Sequence, residues 1–134
     1  MQSGFITSKK VPWLGYSPDG VIIDELTNTP IKLLEIKCPF KGKTLGIEEL
    51  LNNLNCLVKG KLTLKVKHAY YAQVQLGMIM LNVPCCDFVV YSSFSNNYHV
   101  IPVEVNLNYC TNLLCDLKVI YFEKLIHEIC NLSD

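Results

Sequence analysis

Arginine is absent from this chain of 134 residues: all twelve basic side chains are lysine. Nothing in it can form the bidentate guanidinium fork that grips a phosphate or carboxylate. Long apolar runs are missing too. The longest candidate, Ala69 to Val83, is interrupted by Gln73 and Gln75 and falls short of the roughly 18 residues of a membrane span. Lys9 and Lys10 are not followed by an apolar block with a small-residue cleavage site. No signal peptide and no membrane association are therefore expected, and the expected location is intracellular, cytoplasm or nucleus. Among the seven cysteines (Cys38, Cys56, Cys85, Cys86, Cys110, Cys115 and Cys130) no pair is spaced C-x-x-C, so a structural zinc site has little support. They are expected to be reduced thiols serving as small apolar residues. Asn131-Leu132-Ser133 spells a glycosylation sequon, read as chance in a chain without a secretion signal.

Half the residues are apolar and 18% are charged, a composition that excludes disorder. The length suits one domain over residues 1–134, able to bury roughly two thirds of its unfolded surface without disulfide or metal staples. Net charge is zero but polarised: residues 1–68 carry a formal +4 and residues 69–134 a formal −4. Such a split can mark an anion-binding half.

The pattern predicts an α/β (α+β) fold, a central sheet covered by helices. Trp13 to Tyr16 reads as extended and Ser17-Pro18-Asp19-Gly20 as a turn. Val21 to Leu26 and Ile31 to Cys38 read as an antiparallel hairpin, closed by Thr27-Asn28-Thr29-Pro30 and ended by Pro39. Ile47 to Leu57 predicts a short helix. His68 to Leu81 predicts a helix apolar nearly all round, hence buried on most sides. Asp87 to Phe94 and Tyr98 to Val105 predict a second hairpin. Asn108 to Asn131 predicts one long amphipathic helix with Leu113, Leu114, Leu117, Tyr121, Leu125 and Ile129 on its apolar stripe.

The chemical signal sits in the first hairpin. Strand alternation places Glu35 and Lys37 on one face and Ile36 on the other, and the hairpin brings Asp19 near them. Two carboxylates beside one ammonium suit Mg²⁺ or Mn²⁺ chemistry on a phosphoryl group, with the lysine holding a water or offsetting developing charge. Read alone, Asp19 is equally a turn residue, and Glu35 with Lys37 an ion pair worth about 0–1 kcal/mol if exposed. Against that, charges among Ile31, Leu33, Leu34 and Ile36 need a reason to be there. Gln73, in an apolar helix, is costly unless hydrogen-bonded. Gln75 points some 200° away around that helix, and Gly77 can permit a close helix approach. Trp13 reads as packing, and no histidine is assigned to metal.

Ser17-Pro18-Asp19-Gly20, Leu34-Glu35-Ile36-Lys37-Cys38-Pro39-Phe40 and Tyr70-Tyr71-Ala72-Gln73-Val74-Gln75 together resemble the lambda-exonuclease / YqaJ viral-recombinase family, a branch of the PD-(D/E)XK nucleases. The resemblance spans about residues 13–94. It implies a restriction-endonuclease-like core, a mixed sheet flanked by helices. It also implies a metal-dependent deoxyribonuclease, acting 5′→3′ on duplex DNA ends. Asp19, Glu35 and the backbone carbonyl of Ile36 would hold Mg²⁺ (or Mn²⁺). Lys37 would be the catalytic lysine and Gln73 the family glutamine. Ser17, Tyr70, Lys41 and Lys43 are candidate substrate contacts, and Gln75, by its place around the helix, is read as supporting the site from behind or as structural. Implied partners are DNA, a single-strand annealing protein and further copies of the chain.

Relatives carry helices upstream of S-P-D-G that supply a further acidic residue and the arginine and serine that bind a 5′-phosphate. Only twelve residues precede Trp13 here and arginine is absent. The chain is thus expected to be N-terminally truncated relative to the family. The rival reading is a degenerate, nuclease-derived DNA-binding or structural module. The lysines between the two motifs (Lys41, Lys43, Lys59, Lys61, Lys65 and Lys67) read equally as a solvated loop or as a surface that tracks phosphates.

Overall fold

The computed structural model describes residues 4–131. Leu132 and Ser133 of the sequon lie outside the described residues. A short antiparallel ribbon opens the chain: β1 (Ile6–Ser8) pairs with β2 (Val11–Tyr16). The main sheet follows, formed by β3 (Gly20–Asp24), β4 (Thr29–Lys37), β5 (Cys85–Ser92) and β6 (Asn97–Glu104) in that spatial order. β3 and β4 are antiparallel, β4 and β5 parallel, β5 and β6 antiparallel. This is the mixed sheet of an α+β fold. A parallel pair cannot be joined by a tight turn. The connection from β4 to β5 therefore carries a 3-10 turn (Phe40–Lys43), helix α1 (Ile47–Asn52), an irregular stretch and helix α2 (Ala69–Leu81).

Local chemistry sets the corners. The β3–β4 turn closes on Asp24, whose Oδ1 accepts from the Leu26 and Thr27 amides at 2.8 and 2.9 Å. These bonds hold the carboxyl below its ordinary value. Asn28, Asn82 and Asn96 take positive φ of 52°, 55° and 47° at three corners, a conformation asparagine tolerates better than most residues. His68 caps α2, its Nδ1 accepting from the Tyr70 amide at 3.1 Å.

Alternation decides what β4 buries. Leu33 and Glu35 are buried, whereas Ile36 is exposed on the opposite face. The buried face of the sheet, with Leu33, Cys86, Phe88, Val90, Ile101 and Val103, packs against Leu50 and Leu51 of α1 and Val74 and Met78 of α2. The other face carries the Lys32–Asp87 ion pair at 3.1 Å and the part-exposed Ile22, Ile36 and Val100. Helix α2 is apolar nearly all round because it contacts the sheet, the β1–β2 ribbon and the following helix.

Two sequence expectations change. Helix α1 ends at Asn52 rather than Leu57. Asn52, Asn53 and Asn55 favour turns over helix interiors, and the chain then folds Cys56, Leu57 and Leu64 back into the core. The C-terminal helix runs unbroken but is not α-helical throughout: α3 (Leu107–Val119) passes through a π-type stretch (Ile120–Leu125) into α4 (Ile126–Asn131). Its expected stripe is only partly covered. Leu113, Leu117 and Tyr121 are half-buried, but Leu114, Leu125 and Ile129 are exposed. Helix α3 meets α2, and Trp13 stacks on Tyr121 at 5.2 Å and meets Phe122 edge-on at 5.7 Å. All seven cysteines are unpaired, with Cys56, Cys86 and Cys110 buried and Cys38, Cys115 and Cys130 exposed. No helix among the described residues is long and apolar enough to cross a membrane.

Gly77 is where α2 comes closest. A Cβ there would lie 2.5 Å from Tyr16 Cζ and 2.7 Å from Leu33 Cδ2, and both side chains are buried. Overpacking of this kind costs about 1–3 kcal/mol, against about 1 kcal/mol that alanine gains over glycine in a helix. Gly77→Ala is therefore expected to lower stability in urea denaturation. Unchanged or higher stability would show that α2 and Tyr16 can separate freely.

Candidate active site

The candidate site is built where β2, β4 and α2 meet. Glu35, in mid-strand, is 1% exposed. A carboxylate this deep is tolerated only when paired and hydrogen-bonded, and three donors reach it. Lys37 Nζ and Gln73 Nε2 both donate to Oε1 at 2.6 Å, and the Tyr16 hydroxyl donates to Oε2 at 2.9 Å. Lys37 also donates to Gln73 Oε1 at 3.2 Å, closing a ring of three side chains. Its ammonium lies 4.7 Å from the centre of the Tyr70 ring, which in turn packs on Phe88 at 5.7 Å. Glu35 and Lys37 meet because strand residues two apart share a face. Gln73 faces them because α2 lies over that face.

Asp19 arrives from the neighbouring strand. Gly20 pairs with Leu34, so Asp19 stands just beyond the end of β3, level with Glu35. Its Oδ2 accepts from the Ile36 amide at 2.7 Å. In an extended strand the amide and carbonyl of one residue face the same edge, so the Ile36 carbonyl also faces the Asp19 side, beyond the last β3–β4 pair. A carboxylate offers about four acceptor positions. The three donors on Glu35 leave one, on Oε2. Asp19, Glu35 and the Ile36 carbonyl are thus hard oxygen donors at neighbouring positions of the β3–β4 pair. Among the described residues no group of three or more His, Cys, Asp or Glu side chains surrounds them. A donor set of two carboxylates and a carbonyl matches the demands of Mg²⁺, which keeps several waters and uses one or two protein carboxylates.

Lys41 and Lys43 sit on the exposed 3-10 turn that follows β4, and Ser17 is exposed at the S-P-D-G turn. None of the three hydrogen-bonds to the Glu35 cluster. Of its two readings Gln75 takes the structural one: fully buried, it donates to the Glu104 carbonyl at 2.8 Å and accepts from the Asn106 amide at 2.8 Å. It pins the junction between β6 and α3, as its opposite position around the helix requires. Cys86, under Glu35, is a thiol pushed up to about 12 by burial and then by the Glu35 charge.

Tyr16 is the residue that sequence reasoning missed. Burial, and then the adjacent Glu35 charge, hold its phenol above the ordinary value. The available signal was parity: Leu14 and Tyr16 alternate inward on β2, and a buried phenol needs a polar partner.

The fold is a mixed-sheet α+β core that carries Asp19 and Glu35 level with each other on adjacent strands. The family model of the YqaJ-like viral recombinase domain matches residues 1–83, and the chain belongs to that family. Among solved structures it is similar to LHK-Exo in complex with dAMP, at 23% identity and a TM-score of 0.71, over 98% of this chain and 59% of that one. It is also similar to the alkaline exonuclease LHK-Exo from Laribacter hongkongensis, at 23% identity and a TM-score of 0.55, over 98% of this chain and 63% of that one. The chain thus spans about three fifths of the length of these exonuclease chains. No curated protein sequence matches it.

Removing the Tyr16 hydroxyl leaves Glu35 one donor short. Tyr16→Phe is expected to cost about 1–3 kcal/mol in urea denaturation near neutral pH. The raised phenol value adds a pH dependence. Its contribution is fully present below about pH 10, the unfolded tyrosine value, and is lost as pH rises through the folded value. Tyr16→Phe is expected to flatten the alkaline limb of stability against pH. A variant as stable as the parent, with the same alkaline limb, would remove Tyr16 from the site.

Proposed function

We propose that this chain is the catalytic core of a metal-dependent deoxyribonuclease that hydrolyses phosphodiester bonds, working as a 5′→3′ exonuclease at DNA ends. The observation that carries the reading is the buried Glu35 carboxylate, held by Lys37 and Gln73 and standing level with Asp19 at an open strand edge. A merely structural ion pair has no need of a second carboxylate beside it, and burying one is expensive. Membership of the YqaJ-like viral recombinase family and likeness to an alkaline exonuclease and to its dAMP complex support the same reading. Direction of digestion and the use of DNA ends rest on the family alone. So do a single-strand annealing protein and further copies of the chain as partners.

Asp19, Glu35 and the Ile36 carbonyl would hold Mg²⁺ or Mn²⁺, which when bound polarises a phosphoryl oxygen and acidifies a water. In the reaction water adds to phosphorus and the bond from phosphorus to the 3′ oxygen breaks. The attacking water loses a proton to solvent, and the leaving 3′ oxygen takes one from solvent. Lys37, ordered by Glu35, Gln73 and the Tyr70 ring, presents an ammonium where charge grows on the phosphoryl oxygens. Gln73 holds both partners of that pair in register.

Two measurements test the assignment. Millimolar Mg²⁺ or Mn²⁺ is expected to raise the melting temperature of the parent chain by mass action and to leave that of Asp19→Ala unchanged. A parent whose melting ignores both ions lacks the site. Lys37→Ala is expected to cut cleavage of linear DNA by about 10²–10³-fold, the usual loss for one electrostatic group, with DNA affinity near that of the parent. An unchanged rate would reject the catalytic role of Lys37, and absence of cleavage in the parent with intact metal binding would favour the degenerate module.

A further inference from the structure

Phe40 is 81% exposed, although it follows Lys37 by only three residues and opens the 3-10 turn at the end of β4. Burying such a ring is worth about 1.5–3 kcal/mol, so its exposure is a cost the fold does not recover. Nor does the ring sit on a loose loop. Gly42, at the middle of the turn, is buried, and a Cβ there would lie 3.1 Å from the Tyr91 carbonyl oxygen. The Gly42 carbonyl accepts from the Phe94 amide at 2.9 Å and from the Ser93 hydroxyl at 3.2 Å. The Ser92 hydroxyl donates to the Leu45 carbonyl at 2.7 Å. The turn is therefore clamped to the β5–β6 hairpin, and it holds Phe40 outward at a fixed place beside the Glu35 site.

The chemistry around the ring selects its partner. Lys43 Nζ lies 5.0 Å from the ring centre, and Lys41 is exposed on the same turn, which carries no acidic residue. Two cations beside the ring favour an anionic partner over an apolar protein surface. A flat ring between lysines matches the alternation of bases and phosphates in an unpaired strand. Base stacking on aromatics is sequence-tolerant, and cations track the backbone. Parallel-strand sheets bind ligands outside the carboxyl ends of their strands, and this turn follows the carboxyl end of β4 directly.

We propose that Phe40, with Lys41 and Lys43, is a stacking platform for an unpaired nucleotide of the DNA strand engaged at the Glu35 site. The inference rests on the deoxyribonuclease reading.

The test measures equilibrium binding of a labelled twelve-nucleotide oligo(dT), and of a matching oligonucleotide with abasic sites, to the full chain. Ca²⁺ replaces Mg²⁺, and the oligonucleotides are checked for integrity. Phe40→Ala is expected to weaken oligo(dT) binding roughly ten-fold with an unchanged salt slope, and Phe40→Trp to restore it. The abasic strand should bind parent and Phe40→Ala alike. Lys43→Ala should instead flatten the dependence of log affinity on log salt by about 0.7. A folded Phe40→Ala variant that binds oligo(dT) as the parent does would overturn the platform while leaving the nuclease reading intact. Equal losses on oligo(dT) and abasic strands would overturn it too. Failure of the parent to bind any DNA would overturn both.

Discussion

A single buried carboxylate organises this fold. Glu35 lies on the central strand with almost no contact with water, where an unpaired charge would cost several kcal/mol. The chain meets that demand with donors from three separate elements: Tyr16 from β2, Lys37 from β4 itself and Gln73 from α2. Each donor fixes the element that carries it. The Tyr16 ring draws the β1–β2 ribbon against α2, and Gly77 supplies the gap through which its hydroxyl reaches the sheet. Gln73 sets the rotation of α2, which places Val74 and Met78 in the core and Gln75 toward the β6–α3 junction. The electrostatic need of one residue thus helps determine how three layers pack.

The same arrangement leaves acceptor capacity at the strand edge. Glu35 is saturated on Oε1 and keeps an acceptor position on Oε2, while Asp19 is oriented by the Ile36 amide. Lys37 is neither free nor buried: two acceptors and an aromatic face hold it. In the proposed nuclease such preorganisation would let the ammonium meet a developing charge without reorganising. The absence of arginine fits a site built from carboxylates, one lysine and an amide, and the lysine-flanked turn beyond it offers point charges rather than forks.

Much of this was legible in the sequence. The β3–β4 hairpin followed from turn chemistry at Asp19-Gly20 and Thr27-Asn28 and from an apolar run between them, and the shared face of Glu35 and Lys37 followed from strand parity alone. The all-round apolarity of α2 correctly implied burial on several sides. Other features depend on tertiary contacts that no local pattern states. The three-residue β1 has too little periodicity to see, and it exists because β2 is there to pair with. Helix α1 is truncated because Cys56, Leu57 and Leu64 gain more by returning to the core than by extending a helix. The C-terminal stripe read as one amphipathic face, yet Leu114, Leu125 and Ile129 on it are exposed, and the helix departs from regular geometry at Ile120–Leu125. Gln75 lies close to Gln73 in sequence but serves a different junction, and Tyr16 serves Glu35 from 19 positions away.

The central claim is that Asp19, Glu35 and the Ile36 carbonyl form one divalent-ion site at the edge of β4. Crystals of the chain grown or soaked with millimolar Mn²⁺, measured for anomalous scattering, address it directly. The account predicts one strong peak bounded by the Asp19 and Glu35 carboxylates and the Ile36 carbonyl, and its loss in Glu35→Gln. A peak elsewhere with this edge empty, or a peak that persists in Glu35→Gln, would contradict it.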